Sequence, residues 1–318
     1  MYDALTVGKI DNTSKNARKT KQARPSPVDY LFFFVFFATT MLYGKYPEPP
    51  PKKRARTTAT ATATDAPPVP RCHPFDKHQR APTPEEHKAL REMEQNTDAW
   101  TLERKKRQGA SGTSCAVGLG PATPLDYWRV KTGRIERDDT DKGLWIMDRG
   151  HELEPVAAQW YEVLMERRLE TVGIVVHPDV PWIHASPDRL IRGCPEGIVE
   201  IKCPVFCLPP TDRPIKDNYM CQVQQQMACT GAEWCDLAFF YRDDLAADGK
   251  PPVTKGMRIW RIWRDRRYWG QVLGVLDRFA DCLMEDREPT TDIIPLSPRL
   301  PRPRTELVLD WDFTEFDV

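Results

Sequence analysis

The stretch Gly197 to Pro204, GIVEIKCP, places a carboxylate and an ammonium two residues apart in an otherwise apolar run. Ile198, Val199 and Ile201 give the run the β-branched character of a buried strand, and glycine and proline bound it. Side chains two apart in a strand share a face, so Glu200 and Lys202 point the same way. Burying a lone carboxylate is strongly unfavourable. Two arrangements avoid that cost. One is a plain ion pair at a sheet edge, worth at most ~1 kcal/mol. The other is a carboxylate that ligates a hard divalent cation while the ammonium holds a water or a phosphate oxygen beside it. On the triplet alone the ion pair is the commoner explanation.

The neighbourhood shifts that balance. Asp188, in ASPDRLI, stands twelve residues earlier at the end of a strand-like run, and a hairpin returning to Glu200 brings both carboxylates to one site. Glu154, in GHELEP, opens an amphipathic helix able to lie over the same sheet. Glu152 offers a second carboxylate there, but residues two apart on a helix do not share a face. Three carboxylates suit magnesium, which takes few protein oxygens and keeps positions for water and substrate phosphate. Lys202 then adds a positive charge that steadies the transition state of phosphoryl transfer.

The elements that must position these groups are legible in outline. TPEE makes Thr83 an N-cap, Pro84 the first helical residue and Glu86 the closing member of a capping box, with a helix running toward Glu94. GHELEPVAAQWYEVLMERR reads as a helix with Val156, Trp160, Val163 and Leu164 on its buried stripe. TVGIVVH and WIHAS are short strands, NYMCQVQQQMACTG is a helix ending at Gly231, DLAFFY and MRIWRIW are strands, and YWGQVLGVLDRFADCLM is a last amphipathic helix. In RIWRIW the alternation predicts Ile259 and Arg261 on one face and Trp260 and Ile262 on the other. The expected organisation is an N-terminal region over 1–82, one α/β domain over 83–286 and a Pro-rich, then acidic, tail over 287–318. The tail TELVLDWDFTEFDV reads as a solvated end, with a docking peptide for a basic partner as the alternative.

Composition bounds the rest. The net charge of zero excludes strong unspecific attraction of the whole chain to nucleic acid, though not a local basic groove. Nine cysteines without a C-x-x-C pair indicate free thiols in a reducing compartment rather than a disulfide framework or a zinc finger. Residues 1–82 keep no helical or strand period and are expected to be mostly disordered. Lys52, Lys53, Arg54 and Arg56 form a basic cluster of the nuclear-localisation kind, so the expected location is nuclear or cytoplasmic. The run Tyr30–Tyr43 offers the alternative of a targeted or membrane-associated chain, although its 14 residues fall short of the about 20 that a spanning helix needs. Met41, at its end, offers an alternative start.

Taken together, Glu154, Asp188 and EIKCP resemble the PD-(D/E)XK nuclease core, with its central mixed β-sheet flanked by helices. More narrowly, the chain resembles the YqaJ-type viral recombinase family, to which the exonuclease of bacteriophage lambda belongs. The likeness covers about 98–286. DAWTLERKKRQGASGTSCAVGLG, TPLDYWRVKTG, DRGHELEPVA, ASPD with EIKCP, and YMCQVQQQM with WCDLAFFY fall in the family's order.

The resemblance implies that Glu154, Asp188, Glu200 and the backbone carbonyl of Ile201 ligate two Mg²⁺ ions, with Mn²⁺ able to substitute. It makes Lys202 the catalytic lysine and Gln222 the glutamine that positions the attacking water, with Gln224 as its rival. Arg107, Ser114 and Ser186 match a pocket for a terminal 5′ phosphate; the alternative is that Arg107 belongs to a basic run that contacts any backbone phosphate. Arg189 departs from the family, which usually has glycine after the metal-binding aspartate. The implied activity is hydrolysis of one strand of linear duplex DNA in the 5′-to-3′ direction, in recombination or repair. The implied partners are double-stranded DNA ends, a single-strand annealing or binding protein, and two further copies in a ring-shaped trimer. The alternatives are a structure-specific or endonucleolytic nuclease of the same superfamily, and a DNA-binding module without catalysis.

Overall fold

The computed structural model describes residues 75–135, 140–243, 253–296 and 298–312. The run Tyr30–Tyr43, Met41 and the basic cluster at 52–56 lie outside the described residues. Among the described residues no helix is long and apolar enough to cross a membrane.

The first described helix is α1 (Pro84–Glu92), which carries the expected box: Thr83 Oγ1 accepts from the Glu86 N–H at 3.3 Å, and Glu86 Oε2 accepts from the Thr83 N–H at 2.8 Å. There follow α2 (Asp98–Lys105), β1 (Gln108–Gly109), α3 (Ala110–Ala116) and α4 (Pro124–Lys131). Next comes the long α5 (Asp141–Met165), then the short strands β2 (Leu169–Glu170), β3 (Val175–Val176), β4 (Ile183–Ala185) and β5 (Arg189–Ile191). The E-x-K segment forms β6 (Gly197–Lys202). It leads into α6 (Asp217–Thr230), β7 (Trp234–Asp243), β8 (Val253–Trp263), α7 (Arg266–Met284) and β9 (Thr305–Asp312).

Six strands make a mixed sheet in the order β2-β5-β6-β7-β8-β9, in which β6 and β7 run parallel and the other pairs antiparallel. The β6–α6–β7 segment supplies the crossover that a parallel pair requires. A second sheet, β1-β4-β3, joins β1 to β4 in parallel. The two faces of β6 feed different cores. Ile198 packs in the larger cluster with α6 and α7, while Val199 and Ile201 pack with α5 in a second cluster. At the start of β6 only glycine fits, because a Cβ on Gly197 would lie 2.3 Å from the Trp234 indole.

Three expectations change. Helix α5 starts at Asp141, capped by Thr140 Oγ1 accepting from the Gly143 N–H at 3.1 Å, so Glu154 lies within the helix rather than at its opening, with Pro155 inside it. Its fully buried residues are Leu153, Ala157, Ala158 and Tyr161; of the expected stripe Val156, Trp160 and Leu164 pack against them partly buried, while Val163 is exposed. The small alanines allow close approach to the sheet, and the Tyr161 hydroxyl reaches Asp236 at 2.8 Å. Finally, the acidic stretch expected as a solvated tail is β9, the edge strand beside β8. Arg258 pairs with Asp310, and Trp311 meets Trp160 edge-on at 5.0 Å. An opposite-charge pair across the ladder and an aromatic contact with α5 hold a segment whose composition reads as solvated.

Candidate active site

The E-x-K strand behaves as its periodicity predicts. Lys202 Nζ donates to Glu200 Oε1, and Glu200 is only 2% exposed. Helix α6 lies across this face and adds two amides: Gln222 Nε2 donates to Glu200 Oε1 at 2.5 Å, and Gln226 Nε2 donates to Oε2 at 2.6 Å. Three donors therefore compensate one buried carboxylate, which is the condition for burying it at all. Gln226 was not singled out in the sequence. Its signal was available, since it is four residues after Gln222 and so on the same helix face.

The other glutamines of the run have different duties. Gln224 donates to the Trp263 carbonyl and accepts from the Asp265 N–H, each at 2.8 Å, so it supports the entry to α7 and does not reach the site. Gln225 accepts from the Thr113 hydroxyl and donates to the carbonyls of His184 at 2.8 Å and Gln108 at 3.1 Å. It ties α6 to the small sheet.

Asp188 joins the group through the hairpin between β5 and β6. Its Oδ2 accepts from the Ile201 N–H at 2.6 Å, so the residue between Glu200 and Lys202 is the one it grips. Burial, together with the charges of Glu200 and Glu154, holds the Asp188 carboxyl well above the usual carboxylate range against the opposing pull of Lys202. Burial alone would lower Lys202, but Glu200 and Asp188 outweigh it and raise its pKa. Beyond Lys202 the chain is pinned by Arg149, which donates to the carbonyls of Cys203 and Pro204 at 3.2 Å and of Arg242 at 2.6 Å.

Glu154 approaches from the α5 side and accepts from Arg189 at 2.6 Å. Among the described residues no three acidic, histidine or cysteine side chains already stand close enough to hold an ion between them. The chemistry of the donors nevertheless fits a hard dication. They are carboxylate oxygens, and they crowd closely enough for Glu200 and Glu154 to raise Asp188.

The residues expected to hold a terminal phosphate are placed apart in role. Arg107 is buried and donates to Glu103 at 2.7 Å and to the Pro181 carbonyl at 3.1 Å, which makes it a brace for the 180–182 turn. Ser114 is buried within α3. The same seven-residue spacing also relates Arg104 to Ser111, and these two meet: Arg104 Nη2 lies 3.4 Å from Ser111 Oγ. The Arg104 guanidinium lies over the Trp100 ring at 4.0 Å, which fixes its direction. The parallel register Gly109↔His184 sets the start of α3 beside the turn that carries Ser186. Ser186 Oγ and both ring nitrogens of His184 are buried without a hydrogen-bond partner.

Positive charge collects around this turn. Burial lowers the pKa of Arg104, and burial with Arg104 nearby brings the Lys131 ammonium down to about 8. Burial, then Arg104, Lys131 and Arg107, keeps His184 neutral, well below the usual imidazole value. Arg104 also lies close enough to Glu200 to sense its charge, so this cationic corner adjoins the carboxylates.

Comparison with known proteins bears on the segment that contains both groups. A family model, the YqaJ-like viral recombinase domain, matches residues 99–233. The uncharacterized protein YqaJ of Bacillus subtilis (strain 168) is 30% identical over 145 residues, 44% of this chain and 44% of that protein. The chain thus spans less than half the length of this curated relative. Among solved structures, an alkaline exonuclease (LHK-Exo) from Laribacter hongkongensis shares 28% identity at a TM-score of 0.44, covering 60% of this chain and 94% of that one. LHK-Exo in complex with dAMP shares 27% at a TM-score of 0.41, covering 60% and 92%. A phage related exonuclease from Haemophilus somnus 129PT shares 14% at a TM-score of 0.38, covering 57% and 96%. The matched segment carries Glu154, Asp188, Glu200, Lys202 and Gln222, and over it the chain is similar to the YqaJ-like viral recombinase domain.

Proposed function

We propose that this protein is a metal-dependent deoxyribonuclease of recombination or repair, which digests one strand of linear duplex DNA from its 5′ end. The observation that carries the reading is the hydrogen-bonded group of Glu200, Lys202, Gln222 and Gln226 beside Asp188, inside the matched segment. Glu154, Asp188, Glu200 and the Ile201 carbonyl would hold two Mg²⁺ ions, with Mn²⁺ able to substitute. Such ions polarise the scissile phosphate and lower the pKa of the attacking water when bound. Lys202, paired with Glu200, would set a positive charge against the charge developing on the phosphate. Gln222 and Gln226 keep the Glu200 carboxylate in one orientation.

Arg104, Ser111 and Ser186 would receive the terminal 5′ phosphate. A guanidinium fixed on an indole, two hydroxyls and an excess of buried positive charge suit a phosphate monoester. Recognition of an end makes the enzyme depend on ends. The proposed partners are duplex DNA ends, a single-strand annealing or binding protein, and two further copies in a ring, for which the exposed Leu144, Trp145 and Ile146 on α5 offer apolar surface. The test is digestion in Mg²⁺ of linear and of covalently closed circular duplex, with 5′-phosphate or 5′-hydroxyl ends on the linear form. The expected outcome is fast loss of the 5′-phosphorylated linear form, slower loss of the 5′-hydroxyl form and an intact circle. Cutting of the circle would instead identify an endonuclease.

A further inference from the structure

Arg189 opens β5 directly after Asp188, and its register partner in β6 is Val199. Val199 packs with α5, so Arg189 is carried on the α5 face, where Glu154 stands. Its Nη1 donates at 2.6 Å to Glu154 Oε1 and at 2.6 Å to the carbonyl of Asp188. Both side chains are largely withdrawn from water, Arg189 at 12% and Glu154 at 21% exposure. One of the three acidic groups is therefore already neutralised by a guanidinium. A dication and this guanidinium compete for the same carboxylate, because taking Glu154 leaves a largely buried arginine without its counter-charge.

We propose that Arg189 is the built-in counter-ion of Glu154, displaced when a divalent ion takes that carboxylate and then free to bind a backbone phosphate of the DNA strand being cut. The inference rests on the metal-dependent reading above. Arg189 is tethered one residue from Asp188, so it moves little from the reacting phosphate once it lets go of Glu154. A planar guanidinium fork matches phosphate oxygens in two parallel hydrogen bonds. Ion binding and strand gripping become linked: the ion weakens the internal pair, and DNA rewards its loss.

The experiment measures Mn²⁺ binding by calorimetry without DNA for the wild type, Arg189→Met and Arg189→Lys, each shown folded by circular dichroism. It then measures DNA binding with Mn²⁺ and with EDTA, in a Lys202→Ala background that slows digestion. Arg189→Met is expected to bind Mn²⁺ about tenfold more tightly than the wild type, the factor that ~1.4 kcal/mol produces. Arg189→Lys, a point charge without the fork, is expected to fall between and serves as the reading if the methionine variant does not fold. Arg189→Met is also expected to lose DNA affinity in Mn²⁺ but not in EDTA, with a salt slope lower by about 1. Equal or weaker Mn²⁺ binding by the folded variants overturns the role of Arg189 and leaves the nuclease reading standing. So does a loss of DNA affinity that is the same with and without the ion. Absence of Mn²⁺ binding in every protein, wild type included, overturns the metal-dependent reading and this inference with it.

Discussion

Asp188 is the residue at which stability and chemistry oppose each other. Burial and the neighbouring Glu200 and Glu154 raise its pKa above the unfolded value. A carboxyl shifted this way favours the folded state fully below its unfolded pKa, and the contribution is lost as pH rises through the folded one. The ionised form of the group therefore works against folding. Asp188→Asn keeps an acceptor for the Ile201 N–H, so it is expected to raise the melting temperature at neutral pH, by less in acid, while abolishing DNA hydrolysis. Thermal melts across pH beside a nuclease assay check both halves; a variant that melts lower at neutral pH contradicts the electrostatic account. Gln226 belongs to the same scale. Gln226→Ala leaves Glu200 Oε2 without its amide, an omission that costs about 1–3 kcal/mol for a buried polar group, and is expected to lower activity too. Gln224→Ala, which removes two bonds to the entry of α7, is expected to lower stability and leave turnover per folded molecule unchanged. Denaturant unfolding combined with single-turnover rates separates the two glutamines.

At the scale of elements, periodicity predicts more than composition does. The face shared by Glu200 and Lys202 and the alternation of RIWRIW were both legible: Ile259 enters the α5-side core, Trp260 and Ile262 enter the other, and Arg261 pairs with the buried Asp236. The Thr83 box was legible because its chemistry is local. Helix α5 was misread at its start, since Pro155 resembles a first-turn proline and Thr140 lies far upstream. Strand β9 was missed because its stability comes from partners distant in sequence, Arg258 and Trp160, and not from its own acidic composition. Trp311→Ala is expected to cost about 1 kcal/mol from the lost aromatic pair, seen as a lower denaturant midpoint, with the nuclease rate unchanged because β9 is three strands from β6.

For the whole molecule, a net charge of zero means that the proposed affinity for DNA would have to come from where the cations gather. They gather around His184, where Arg104, Lys131 and Arg107 all act on the imidazole, and Arg104 also senses the charge of Glu200. The sequence contains two arginine–serine pairs at the same spacing, and spacing cannot choose between them. The two differ in their surroundings: Arg107 shares Glu103 with Lys106, whereas Arg104 faces a serine and an indole, and the proposal above takes the second. The function proposed above needs both groups side by side, with the Arg104 corner holding a terminus and the carboxylate strand cutting beside it. That account turns on Lys202. The most direct measurement is the initial rate of nucleotide release from linear 5′-phosphorylated duplex in Mg²⁺ by the wild type and by Lys202→Ala. The account predicts a wild-type rate that falls by about 10²–10³ in the variant, the usual effect of removing one group that stabilises transition-state charge. Equal rates in the two proteins would contradict it.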